Sequence, residues 1–252
     1  MSMLDRFFSR FRDDQLRGTL VSFPKSGRTW VRVMLDRLHL SIRYTHDGSD
    51  HKLGAHFQSL DSCGLDPKDQ PLVFLHRDPR DTAVSGFFQK SLRIDQGYEG
   101  DLSHFIRDPH HGIEKVLVFN LAWIEHCSRS DNTHRTLSYE ALRANTADGL
   151  SALVATYMPS RPISRRRICR EVDRASFERM QQQEKQGVFA RRYKKALTPV
   201  DPENKESFKV RRGKVGGFKD YFSEQDLVFA DQLLQRYDYF DRLASAHLAA
   251  LI

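Results

Sequence analysis

The chain has 252 residues, 39% of them hydrophobic and 29% charged, the balance of a soluble globular protein with one α/β domain. Apolar runs such as residues 72–75 and 116–119 are too short to cross a bilayer, and a formal charge of +7 attracts anions without separating a nucleotide from a nucleic acid or an acidic glycan. Three scattered cysteines, Cys63, Cys127 and Cys169, form no CxxC pair, which argues against zinc and for a reducing, cytoplasmic setting.

In chain order, residues 1–11 carry no secretory pattern. Leu4, Phe7, Phe8 and Phe11 fall at helical spacing and predict a helix docked on the body, with contact at a membrane surface as the minor alternative. Residues 18–23 (GTLVSF) read as a buried strand that runs through residues 24–27 into a helix at 29–40, with Val31, Met34, Leu35 and Leu38 on one face. Residues 44–70 are irregular and hold His46, His51 and His56. Residues 72–76 (LVFLH) form a second buried strand, and Asp78-Pro79 is well placed to start a helix. Residues 113–126 are amphipathic. Residues 135–138 make a third strand, with Tyr139-Glu140 opening the next helix. Residues 146–157 and 175–185 read as helices, and 223–237 as the last one, capped by Ser223 and Asp226. The alternation predicts a mostly parallel sheet covered by helices on both faces, in one domain spanning 1–252. Residues 187–217 lose the pattern and read as a mobile lid-like segment within that domain. The basic clusters at 165–167 and 191–195 read as solvated faces.

The informative segment is Phe23-Pro24-Lys25-Ser26-Gly27-Arg28-Thr29-Trp30. A loop between a strand and a helix points backbone N–H groups at whatever sits above the helix start, where the dipole favours an anion. Gly27 permits close approach, Lys25 adds charge, Ser26 and Thr29 add hydroxyls, and Trp30 can stack on a flat base. This is a phosphate cradle, but not a Walker A loop, because Lys25 precedes Gly27.

Residues 24–30 resemble the 5′-phosphosulfate loop (PKSGTTW) of sulfotransferases that use 3′-phosphoadenosine 5′-phosphosulfate (PAPS). Arg77-Asp78-Pro79-Arg80-Asp81-Thr82-Ala83-Val84-Ser85, directly after a strand, is similar to that family's 3′-phosphate motif R-x-P-x-D-x-x-x-S. An arginine there can clasp the phosphate bidentately, and a serine two helical turns on can reach it. Ser176-Phe177-Glu178-Arg179-Met180 is similar to the helix whose aromatic residue packs on adenine. Residues 211–222 resemble the segment R-K-G-x-x-G-D-W-K-x-x-F that closes over the 3′-phosphate, with Arg212, Gly217 and Phe218 in place of Lys, Asp and Trp. Tyr139-Glu140-Ala141-Leu142 is similar to the family's Y-E-D-L.

The resemblance implies a P-loop-like three-layer fold. It also implies in-line transfer of a sulfuryl group from PAPS to a hydroxyl acceptor, a glycan or a small molecule, leaving 3′-phosphoadenosine 5′-phosphate (PAP) and needing no metal. Its cofactor contacts fall on Lys25, Ser26, Gly27, Arg28, Thr29, Trp30, Arg77, Ser85, Tyr139, Phe177, Arg211, Arg212 and Gly213. Lys25 stabilises the leaving oxygen. Tyr44-Thr45-His46-Asp47 matches the family's K-T-H and makes His46 the base, with His51 and Asp47 as alternatives. Tyr44 in the lysine's place removes a cation near the sulfuryl group. The acceptor pocket is expected from residues 44–70, 93–111 and 187–210, where Arg191, Arg192, Lys194 and Lys195 hint at an anionic glycan. His110-His111 resembles a metal pair only superficially. Two other readings stay open: a magnesium-dependent phosphoryl transferase, and a non-catalytic module that binds PAP or a glycan. No nucleic-acid partner is expected.

Overall fold

The computed structural model describes residues 16–49, 71–94, 97–129, 134–193, 197–246 and 250–252. The expected N-terminal helix, Cys63, His51, His56, Lys194 and Lys195 lie outside the described residues.

Four strands, β1 (Thr19–Ser22), β2 (Arg43–Thr45), β3 (Leu72–His76) and β4 (His134–Ser138), make a parallel sheet in the order β2-β1-β3-β4. Leu20 lies beside Val73, and Val73 beside Arg135. β1 and β3 are buried at every position, as a parallel strand covered on both faces must be. Successive side chains serve opposite faces. Leu20, Val73, Leu75 and Leu137 join one core, with Val31, Met34, Leu150 and Leu153. Val21, Leu72 and Phe74 join the other, with Phe119 and Trp123. β2 overlaps the start of the stretch expected to be irregular. Its three residues run from exposed to buried, too short for either periodicity to register.

The helices are α1 (Arg28–Arg37), α2 (Pro79–Leu92), α3 (Leu102–Arg107), α4 (Ile113–Ser128), α5 (Tyr139–Ala144), α6 (Thr146–Tyr157), α7 (Arg165–Arg174), α8 (Phe177–Lys185), α9 (Ala190–Tyr193), α10 (Glu224–Arg236) and α11 (Tyr239–Ser245). Their starts follow cap chemistry. The side chains of Asp78, Ser138 and Ser176 accept from Arg80, Ala141 and Arg179 backbone N–H groups, and Ser223 with Asp226 closes a full capping box. The Ser176 cap is why α8 begins two residues later than its periodicity suggests. α1 ends at Arg37, before the left-handed His39 (φ 60°). α7 escaped the sequence because only Ile168 and Glu171 of it are buried, so its apolar stripe is too thin to stand out from the arginines. α1 and α2 open just beyond the ends of β1 and β3, which brings two helix N-termini to the same edge of the sheet.

Candidate active site

That edge carries an open pocket. Its wall holds His46 and every cofactor contact expected from the sequence except Ser26: Lys25, Gly27, Arg28, Thr29, Trp30, Arg77, Ser85, Tyr139, Phe177, Arg211, Arg212 and Gly213. Ser26 lies behind the wall, fully buried, with its Oγ partnerless among the described residues.

The turn after β1 is built for close approach. Lys25 (φ 76°) and Gly27 (φ 97°) both take positive φ, and a Cβ on Gly27 would stand 2.6 Å from the Tyr139 ring. Only glycine lets that ring seat under the loop. Gly213 repeats the device: φ is 61°, and a Cβ there would lie 2.7 Å from the Phe177 ring. Trp30 is fixed by its indole N–H, which donates to the Ala175 carbonyl at 2.8 Å. Trp30, Phe177 and Met180 give the pocket apolar and aromatic lining, with the Arg143 guanidinium 5.5 Å from the Trp30 ring, a setting for a base.

Arg77, at the end of β3, ties three segments together. It donates to the Lys25 carbonyl at 3.4 Å and to the Lys214 carbonyl at 3.0 Å, lies 4.4 Å above the Tyr139 ring, and leaves its buried Nε without a partner among the described residues. The loops after β1 and β3 therefore face one pocket. One helical turn on, Asp81 accepts from the backbone N–H groups of Gly216 and Phe218, each at 2.9 Å. Asp81 thus pins residues 214–218 across the mouth of the site. Ser85 follows on the same face of α2.

The two adjacent arginines of the covering segment are engaged. Arg211 donates to Glu206 and to the Tyr221 hydroxyl, both at 2.6 Å, and Arg212 pairs with Asp220 at 3.1 Å. An incoming anion must compete with these carboxylates.

His46 directs Nδ1 at the Ser22 carbonyl at 2.6 Å. A carbonyl only accepts, so Nδ1 carries the proton and Nε2 keeps its lone pair. Burial and the Arg28 charge hold the ring pKa down at about 4, so the imidazole is neutral near pH 7. Asp47 does not orient it: its carboxylate turns to Arg43 at 3.4 Å, away from the pocket wall. Arg192, expected to greet an anionic acceptor, instead pairs with Asp36 at 3.3 Å and does not line the pocket.

Several wall residues were not singled out as contacts: Asp81, Arg143, Met180, Lys209, Val210, Lys214, Gly217 and Tyr221. Asp81 and Met180 sit inside the recognised motifs. Lys209 had no signal, being one lysine in a basic, polar stretch. Its ammonium is pushed down to about 8, by burial first and then by Arg93 and Arg28. Lys25 is lowered well below its ordinary value by burial, and then by Lys209, Arg93, Arg211 and Arg77. The charged groups that act most on Lys25 are cations, and Asp81 is the only acidic side chain among the described residues that line the pocket.

The family model of the sulfotransferase domain matches residues 65–244. No curated protein sequence matches the chain. Among solved structures, mouse sulfotransferase SULT7A1 complexed with PAP superposes with a TM-score of 0.65 at 18% identity, covering 94% of this chain and 90% of that one. Retinol dehydratase in complex with androsterone and inactive cofactor PAP gives 0.55 at 14% identity, with 88% and 81% covered. Retinol dehydratase in a complex with retinol and PAP gives 0.56 at 15%, with 86% and 80% covered. At these identities the structural likeness is one of fold, and it agrees with the expected α/β architecture of a parallel sheet between helices. The family match spans most of the chain: the protein belongs to the sulfotransferase domain family and is a sulfotransferase.

Proposed function

We propose that the protein moves the sulfuryl group of PAPS to a hydroxyl acceptor by in-line displacement, with His46 as base and Lys25 at the leaving oxygen. The observation that carries this reading is the Arg77 guanidinium reaching the Lys25 carbonyl. The two anion-binding loops are neighbours in one pocket, at a spacing one nucleotide with two phosphate groups can bridge.

The residues present fit that nucleotide. The buried Arg77 Nε and Arg211 Nε, both on pocket-lining residues, lack partners among the described residues, and buried donors of this kind call for an acceptor. Residues 25–29 and the start of α1 would take the 5′ end, Arg77, Ser85, Arg211 and Arg212 the 3′-phosphate, and Trp30 and Phe177 the adenine. PAPS supplies an activated sulfuryl group when bound. The new bond joins the acceptor oxygen to sulfur, the bond from sulfur to the 5′-phosphate oxygen breaks, and the acceptor proton goes to His46 Nε2. A substrate anion beside His46 raises its pKa from about 4 toward the working range of a base. Lys25 meets the negative charge that builds on the departing oxygen. Phosphoryl transfer is less well supported, because Asp81, the only carboxylate among the described residues that line the pocket, is used by two backbone N–H groups and sits 3.5 Å from Arg77. We place the protein in a reducing, cytoplasmic setting, consistent with the free thiols of Cys127 and Cys169.

A thermal-shift titration with PAP, ADP and ATP, each with and without Mg²⁺, tests the nucleotide. PAP is expected to raise Tm most, irrespective of Mg²⁺. A magnesium-dependent preference for ATP would overturn the reading in favour of a kinase. PAP binding with no sulfate transfer to any of a panel of alcohols, phenols and glycans would leave a binding module.

A further inference from the structure

Two lysines from distant parts of the chain meet over one neutral oxygen. Lys25 Nζ donates to Gln89 Oε1 at 3.2 Å, and Lys209 Nζ donates to the same atom at 3.3 Å. Two ammonium groups on one amide oxygen form a costly arrangement, since each repels the other and the amide carries no charge to offset them. Both line the pocket that holds His46.

Lys209 is held there by design of the surrounding chain. The fully buried Glu184 carboxylate, on α8, accepts from the backbone N–H groups of Lys209 (2.7 Å) and Val210 (2.8 Å). Gln181, on the same helix, donates to the carbonyls of Val210 and Arg211 at 3.1 and 3.2 Å. Arg93 sits 3.8 Å from Glu184 and donates to the carbonyls of Ser207 and Thr198. Gln89 and Arg93 are one helical turn apart, so the end of α2 positions both the backbone before Lys209 and the oxygen its ammonium touches. A solvated surface lysine needs none of this.

We infer that Lys209 is a second sulfuryl-binding cation, which with Lys25 grips the oxygens of the transferred group at the point now marked by Gln89 Oε1. The inference rests on the PAPS reading above and deepens it. Lys25 approaches from the loop after β1 and Lys209 from the covering segment, so the group is held from two sides. PAP keeps the leaving oxygen that Lys25 meets but lacks the sulfuryl group, so the Lys209 contact is open to PAPS alone.

The test compares PAPS with PAP by isothermal titration calorimetry in wild type, Lys209→Met, Lys209→Arg and Gln89→Glu. Losing one charge-assisted contact is expected to cost Lys209→Met about 10- to 100-fold in PAPS affinity with little change for PAP, and Lys209→Arg is expected to recover most of it. Gln89→Glu, which leaves Lys209 in place and sets a carboxylate between the two ammonium groups, is expected to erode the preference for PAPS on its own and keeps the test valid should Lys209→Met fail to fold. Equal losses for PAPS and PAP in Lys209→Met, or unchanged affinities in both variants, would overturn the assignment while leaving the nucleotide site standing. A wild-type protein that binds neither nucleotide would overturn the PAPS reading and the assignment together.

Discussion

The two sides of the pocket are made in different ways. The floor, from Lys25 to Trp30 and around Arg77, is built where strands run straight into helices, and its geometry comes from neighbours in sequence: a left-handed Gly27, helix N-termini and an arginine at a strand end. The cover, residues 206–222, has little regular structure beyond two 3-10 turns. It is held by carboxylates from elsewhere, Asp81 on α2 and Glu184 on α8, and by its own pairs of Arg211 with Glu206 and Lys214 with Asp220. A site divided in this way can keep a rigid anion cradle while its cover exchanges internal carboxylates for a ligand's phosphate.

Breaking the floor should have the largest effect. Lys25→Ala or Arg77→Ala is expected to lower sulfate transfer by about 10³-fold or more, with circular dichroism unchanged, and activity near wild type would remove the floor from the mechanism. His46→Ala should come next, lowering kcat by about 10²- to 10³-fold while leaving PAP affinity nearly unchanged in calorimetry. A variant that loses PAP binding instead would make His46 a structural residue.

Breaking the cover should cost binding more than chemistry. Asp81→Ala strands one buried and one half-buried backbone N–H group and is expected to lose about 2–3 kcal/mol of stability, read by urea denaturation, together with roughly tenfold in PAP affinity. Gly213→Ala forces a methyl towards the Phe177 ring in a left-handed backbone and should weaken PAP binding by a smaller factor, with transfer at saturating PAPS nearly intact. The comparison sharpens if floor variants fall mainly in kcat and cover variants mainly in affinity.

How much of this the sequence showed follows the same division. The floor motifs were legible because strand, turn and helix start occupy consecutive residues, so cap and glycine chemistry identify them without a fold. Ser26 was assigned to the wall on its hydroxyl, but the left-handed turns on either side bury it behind the loop. Lys209 was not legible at all. Its role depends on Gln89, Arg93 and Glu184, which lie 120, 116 and 25 positions away, and only the closed fold brings them together. β2 and α7 were missed for a simpler reason, since three strand residues and two buried helix positions carry too little periodicity to register.

The smallest expected effect lies outside the pocket. Buried His76 is held neutral, its pKa lowered by burial to about 4. The unfolded chain binds that proton nearer the ordinary histidine value, so this contribution to stability is complete above pH ~6.5 and is lost as pH falls toward 4. Melting temperatures between pH 7 and 4.5 should fall less steeply in His76→Phe than in wild type, and parallel slopes would mean that the ring does not titrate on unfolding.

The central claim is that the loops after β1 and β3 hold opposite ends of one nucleotide, and a crystal structure with PAP tests it most directly. The 5′-phosphate is expected within hydrogen-bonding distance of residues 25–29, and the 3′-phosphate against Arg77 and Ser85. Two vacant loops, or a nucleotide bound elsewhere, would contradict it.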